Sequence, residues 1–136
     1  MFQRFVPFAA CALIATMPHA VQAFRSFSGL EVNPVNTAVF EVVGDPGTHG
    51  REYWCAAANY SLQELNAGWD AVIFIARKRG VSETTGRKSA VQFTLDADAA
   101  GITPARPTIS INWFRPGDNI KIQQANSYCQ DLREFN

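Results

Sequence analysis

The segment REYWCAAANYSLQELNAG, residues 51–68, sets the expected fold. Thr48 is the expected N-cap of a helix, Glu52 complements the positive end of its dipole, and Gly68 is expected to end it. The segment therefore predicts one amphipathic helix, with Cys55 at the edge of its apolar stripe. The residues of that stripe recur at helical spacing: Trp54, Ala58, Leu62 and Leu65.

Alternating apolar and polar residues predict strands around this helix, and residues 70–78, which are apolar on both faces, predict a central strand. We expect one strand before it and four after it, the last continuing towards Cys129, at residues 37–43, 70–78, 89–96, 108–114 and 119–125. Loops rather than crossover helices join the later strands, which favours antiparallel pairing. The sequence thus predicts an α+β fold, one helix packed on a four- to five-stranded antiparallel sheet in the order β-α-β-β-β-β.

The expected core lies between the helix and one face of this sheet. It joins Trp54, Leu62 and Leu65 to Phe93, Ile109 and Ile111. The element order is similar to the cystatin-like arrangement, in which a sheet wraps around a helix. The Gln-Val-Gly hairpin with which cystatins inhibit proteases is not found in the sequence.

The first 23 residues have the pattern of an export signal. Arg4 precedes an apolar run from Phe5 to Met17, and small residues follow, so cleavage is expected after Ala23. The alternative is a membrane anchor, but the run is shorter than the ~20 residues that a spanning helix needs. We therefore expect one compact domain, residues 24–136, in the periplasm or outside the cell.

Export leaves two cysteines, Cys55 and Cys129, in an oxidising compartment, because Cys11 is removed with the leader. A Cys55–Cys129 disulfide is the expected outcome. The alternative is a reactive thiol at the start of the helix, paired with His49. His49 is the only histidine expected in the exported chain, since His19 is also lost.

Other chemistries find little support in the sequence. One histidine and a paired cysteine do not make a zinc site, and Asp96 with Asp98 lacks the further oxygen ligands of a calcium loop. No metal site and no cofactor is expected. Neither a G-x-S-x-G elbow nor a phosphate loop is present, so no catalytic residue is assigned.

Basic residues cluster in RKRGVSETTGRK, residues 77–88. If the flanking strands pair, both basic ends meet at one tip and form a positive patch. Such a patch suits an acidic protein surface, a polysaccharide or lipid head groups; the alternative is a solvated hairpin end that keeps the strand edges soluble. The residues of this candidate anion-binding or partner-binding site are Arg77, Lys78, Arg79, Arg87 and Lys88.

The overall charge argues against a nucleic-acid partner. The chain carries 12 basic and 12 acidic residues, whereas nucleic-acid binders have a basic face. Its 47% hydrophobic content predicts a packed core. Trp69, Trp113 and Phe114 are either core aromatics or an aromatic surface for a ligand.

The leader, YWCAAANY in a helix, SAVQFTLD in a strand and the closing SYC together resemble short exported proteins of Gram-negative bacteria that have no assigned function. This resemblance implies a disulfide-linked domain in the periplasm, and it transfers neither a catalytic residue nor a ligand. The function expected from the sequence is a non-catalytic binding or inhibitor-type accessory protein. The alternatives are a small periplasmic hydrolase with dispersed carboxylates and a structural envelope component.

Overall fold

A computed structural model describes residues 23–107 and 110–134. These residues form one six-stranded sheet and two helices, an α+β fold. In chain order the elements are β1 Phe24–Arg25, β2 Glu31–Pro34, β3 Val39–Val43, α1 Gly50–Gln63, β4 Val72–Gly80, β5 Ala90–Thr94, β6 Asn119–Lys121 and α2 Ile122–Glu134. The strands lie in the order β1-β2-β3-β5-β4-β6, and every neighbouring pair is antiparallel.

Strands β3, β4 and β5 form at three of the predicted positions. Their alternating residues place Phe40, Ile75 and Phe93 in the core with helix α1. The ring of Trp54 meets Phe93 edge to face at 5.2 Å, which confirms the predicted packing of helix on sheet. Leu65 was expected in this core and is instead 44% exposed, because the helix ends before it.

Helix α1 has different boundaries from those predicted. His49 is its N-cap residue, and its backbone N–H donates to the Glu52 carboxylate at 2.8 Å. The Thr48 hydroxyl instead accepts the Asp45 N–H, within the preceding turn. The helix ends at Gln63 rather than near Gly68, and Asn66 takes the left-handed conformation after it, with φ 52°.

The region predicted as a strand at 108–114 is a loop over residues 110–114; residues 108 and 109, and with them the predicted core position Ile109, lie outside the described residues. Phe114 has φ 51°, which a regular strand does not accept, and its ring is buried against Tyr53. The Ile111 carbonyl accepts the Trp54 indole N–H at 3.1 Å. The loop approaches α1 so closely that any side chain at Gly50 would collide with that carbonyl.

Residues 122–134 are helical, so the strand predicted to continue towards Cys129 ends at Lys121 instead. Strand β6 has only three residues, and α2 begins at Ile122. Ile122, Ala125 and Cys129 are buried, and their spacing is that of one helix face. Two short strands, β1 and β2, were missed because they hold few apolar residues.

The disulfide is confirmed. Cys55 and Cys129 are bonded with an S–S distance of 2.10 Å, and their Cα atoms lie 5.0 Å apart. It joins α1 to α2, rather than α1 to a strand. Within the described ranges, no helix is long and apolar enough to cross a bilayer.

Candidate functional site

The predicted basic segment lies at the end of β4 and in the loop that leads to β5. Two of its arginines form ion pairs with nearby carboxylates. Arg77 contacts Glu83 at 3.1 Å, and Arg87 contacts Asp45 at 2.8 Å. Arg77 also donates to the carbonyl of Val81. These two arginines therefore hold the loop in place, and part of their charge is neutralised within the chain.

Arg79 is directed to another part of the fold. Its guanidinium lies 4.9 Å from the ring centre of Tyr53 and 5.3 Å from that of Phe114, and it donates to the Thr48 carbonyl at 2.8 Å. Arg79 thus helps to fix the start of α1. Lys78 and Lys88 are exposed and, among the described residues, have no hydrogen-bond or ion-pair partner. They are the two cations of the segment that remain free for a partner.

A buried carboxylate lies under the same loop. Glu41 of β3 is wholly buried, and its carboxylate accepts hydrogen bonds from the hydroxyls of Ser82 and Thr84. The backbone N–H groups of Glu83 and Thr84 add bonds of 3.1 and 2.9 Å. Gln92, opposite Glu41 on β5, contributes a weaker one at 3.4 Å.

The pKa of Glu41 is set by two opposing effects. Burial alone raises the pKa of this carboxyl, but the donors from Ser82, Thr84 and Glu83 outweigh it and hold the pKa below its ordinary value. Glu41 is therefore ionised, and its hydrogen bonds fix the loop between β4 and β5 against β3. This role was not predicted from the sequence, because the donors to Glu41 come from residues some forty positions later in the chain.

The cysteine and histidine of the alternative thiol site have structural roles. Cys55 is oxidised and wholly buried, so it offers no thiol to His49. His49 is exposed at the N-terminus of α1. Asn59 lies beside the disulfide and donates to the Cys129 sulfur at 3.5 Å.

The remaining predicted features are dispersed. Asp96 accepts the Ala99 N–H at 3.1 Å in an ordinary turn, and the described residues contain no group of three or more His, Cys, Asp or Glu placed to hold a metal ion. Phe114 belongs to the core, whereas Trp69 and Trp113 are more than half exposed. The Arg115 guanidinium covers Trp113 at 4.0 Å.

Two clefts meet at Tyr60, which the sequence did not single out. The small cleft has a volume of about 220 Å³ and lies between the end of α1 and strands β2 and β3. The large cleft, about 510 Å³, lies beside β1 and β2. Tyr60 and Pro34 line both. The other small-cleft residues are Asn36, Thr37, Ala38, Val39, Phe40, Leu65, Leu95 and Asp96, and the other large-cleft residues are Ala23, Phe24, Arg25, Val32, Asn33 and Glu64.

Tyr60 is held by its ring and free at its hydroxyl. Its ring packs against Phe40 at 4.7 Å and Phe24 at 5.5 Å, and the residue is only 8% exposed. The hydroxyl makes no hydrogen bond to any residue that the structure describes. Burial, and then the nearby charge of Glu64, raises the pKa of Tyr60, so the hydroxyl is neutral and able both to donate and to accept.

Comparisons with known proteins leave the site to be judged on its own geometry. No protein-family model, no curated protein and no solved structure matches the chain.

Proposed function

We propose that this protein is a small exported, non-catalytic binding domain that holds a ligand in the clefts beside Tyr60. The observation that carries the proposal is the hydroxyl of Tyr60. Tyr60 is only 8% exposed and lines two concave surfaces, and its hydroxyl has no hydrogen-bond partner among the described residues. Ligand sites combine apolar walls with a few such polar groups.

The apolar wall suits this role. Phe40, Leu65 and Leu95 line the small cleft together with Tyr60. A ligand with an apolar body and one polar group would bury its body against this wall. Its polar group would replace a hydrogen bond to water with one to the Tyr60 hydroxyl. Since transfer of apolar surface is worth about 25 cal/mol per Å², even a small ligand gains useful affinity.

The disulfide supports export, because such bonds persist in oxidising compartments. Strand β1 begins at Phe24, the residue that follows the expected cleavage site. Expression of the full chain in a Gram-negative host, followed by intact-mass measurement, tests export. We expect a periplasmic product that starts at Phe24; an unprocessed chain in the cytoplasm would contradict it.

Calorimetric titration with indole, a small neutral ligand with an apolar body and one polar N–H, tests binding. We expect a saturable heat of binding, with a Kd that is several-fold higher in Leu65→Ala. Val81→Ala is the matched control, since Leu65 and Val81 are both exposed, at 44% and 60%, and only Leu65 lines a cleft. The absence of saturable binding, or an equal loss in both variants, would refute binding in the small cleft.

A further inference from the structure

The charge of the small cleft indicates what kind of ligand it takes. Apart from Tyr60, Asp96 is the only ionisable side chain among the described residues that line it. One carboxylate oxygen of Asp96 accepts the Ala99 N–H, and Asp96 has no ion-pair partner in the described part of the chain. The lining of the small cleft therefore carries one negative charge, and no cation in the described part of the chain pairs with it.

The remaining polar groups of the small cleft do not reverse this charge. The Asn36 side-chain oxygen is occupied, because it accepts the N–H groups of Ala38 and Val39 at 2.9 Å each. The Tyr60 hydroxyl is neutral and can accept a hydrogen bond. Arg25 lines only the large cleft, and its guanidinium donates to the Gly29 carbonyl at 3.2 Å, within the β1–β2 turn.

We propose that the small cleft binds a small organic amine in its protonated form. The ammonium donates to the Asp96 carboxylate and to the Tyr60 hydroxyl, and the hydrocarbon body lies on Phe40, Leu65 and Leu95. The volume of about 220 Å³ is below the ~300 Å³ at which sites for larger ligands begin, so one ring or a short chain fills it. This inference rests on the proposed binding function and specifies its ligand class.

Three probes of matched shape test the charge preference: 2-phenylethylamine, 2-phenylethanol and phenylacetate. Calorimetric titration of the exported protein should give a Kd for the amine about tenfold lower than that for the alcohol, because charge-assisted hydrogen bonds are roughly twice as strong as neutral ones. Phenylacetate should bind more weakly than both. Equal affinity for amine and alcohol, or tightest binding of phenylacetate, would overturn the inference and leave the binding function standing.

Substitutions locate the charge. Asp96→Asn keeps an oxygen for the Ala99 N–H and should raise the Kd for the amine to about that for the alcohol. Asp98→Asn is the matched control, since Asp98 is exposed and lies outside the lining of both clefts. Tyr60→Phe keeps the ring contacts and should weaken amine and alcohol alike. An unchanged amine preference in Asp96→Asn would refute the assignment, whereas failure of all three probes would refute the binding function itself.

Discussion

At the scale of single residues, one carboxylate organises the sheet face that lies away from α1. Glu41 alternates along β3 with core residues, a position that normally faces water. The loop 81–89 covers it and directs two hydroxyls and two backbone N–H groups at its oxygens. These donors belong to a loop some forty residues later in the chain. Because they are directed at the carboxylate, the conformation of the loop depends on its negative charge.

Glu41→Gln tests that dependence. The amide keeps the shape but replaces one acceptor oxygen with a donor that faces the donors of Ser82 and Thr84. We expect the free energy of unfolding to fall by about 1–3 kcal/mol, the cost of leaving buried polar groups unpaired. Urea denaturation measures it. Glu31→Gln is the control, since Glu31 is only partly buried and accepts one side-chain bond, from Asn33; an equal loss in both variants would contradict the special role of Glu41.

The lowered pKa of Glu41 makes a pH dependence that can be measured. The unfolded chain protonates a glutamate near pH 4.3, whereas the folded protein keeps Glu41 ionised to lower pH. Its contribution to stability is therefore complete above about pH 4.3 and is lost as the pH falls through the folded pKa. We expect the stability difference between the wild type and Glu41→Gln to shrink between pH 5 and pH 2. A difference that stays constant or grows on acidification would contradict this sign.

At the scale of elements, the disulfide fixes α2 to α1. The bonded cysteines are 74 residues apart in the chain, so the bond restricts almost the whole unfolded domain. It is buried together with Asn59, between helices that pack against each other. Its effect should therefore be a gain in stability and not a chemical activity.

Removing the bond should cost about 2–5 kcal/mol, the range found when native disulfides are lost from small domains. Urea denaturation of the Cys55→Ala, Cys129→Ala double variant measures this cost. The wild type in dithiothreitol should match the variant, and the variant should not respond to the reductant. A wild type that unfolds at the same urea concentration with and without reductant would show that the bond contributes no stability.

The sequence predicts elements whose patterns are local. Helix α1 and strands β3 and β5 have clear periodicities, β4 lies in a continuous apolar run, and the cysteine pair that follows the expected leader predicts the disulfide. The C-terminal helix was not predicted, because Ile120 and Ile122 alternate as they would in a strand. Ile122 is in fact the first residue of α2. The helical spacing of Ile122, Ala125 and Cys129 was the signal that would have corrected it.

The candidate site was harder to predict for a physical reason. Tyr60 and Asp96 are distant in sequence and meet at the small cleft only through the packing of α1 on the sheet. The burial of Glu41 likewise depends on a loop far along the chain. In each case what matters is whether a polar group has hydrogen-bond partners: the Glu41 carboxylate has several, and the Tyr60 hydroxyl has none among the described residues. Such pairing is decided only in the folded chain.

At the scale of the whole molecule, the charge is balanced and much of it is neutralised locally. Basic and acidic residues number 12 each, and the arginines of the basic segment contact Glu83, Asp45 and the start of α1. Substituting those arginines would disturb the fold as well as any partner. The predicted anion-binding surface is therefore best tested at Lys78 and Lys88, which are exposed and pair with no residue that the structure describes.

The double variant Lys78→Gln, Lys88→Gln separates a binding surface from a solvated hairpin end. If the segment binds anions, affinity for phosphatidylglycerol vesicles should fall by about 1 kcal/mol for each lysine, and the difference should vanish at high salt. Co-sedimentation measures it, with phosphatidylcholine vesicles as the uncharged reference. Lys121→Gln is the matched control, because Lys121 is an exposed lysine on β6, outside the segment. Equal effects of the three lysines would mean that binding follows total charge, and an unchanged affinity in the double variant would mean that residues 77–88 serve the fold alone.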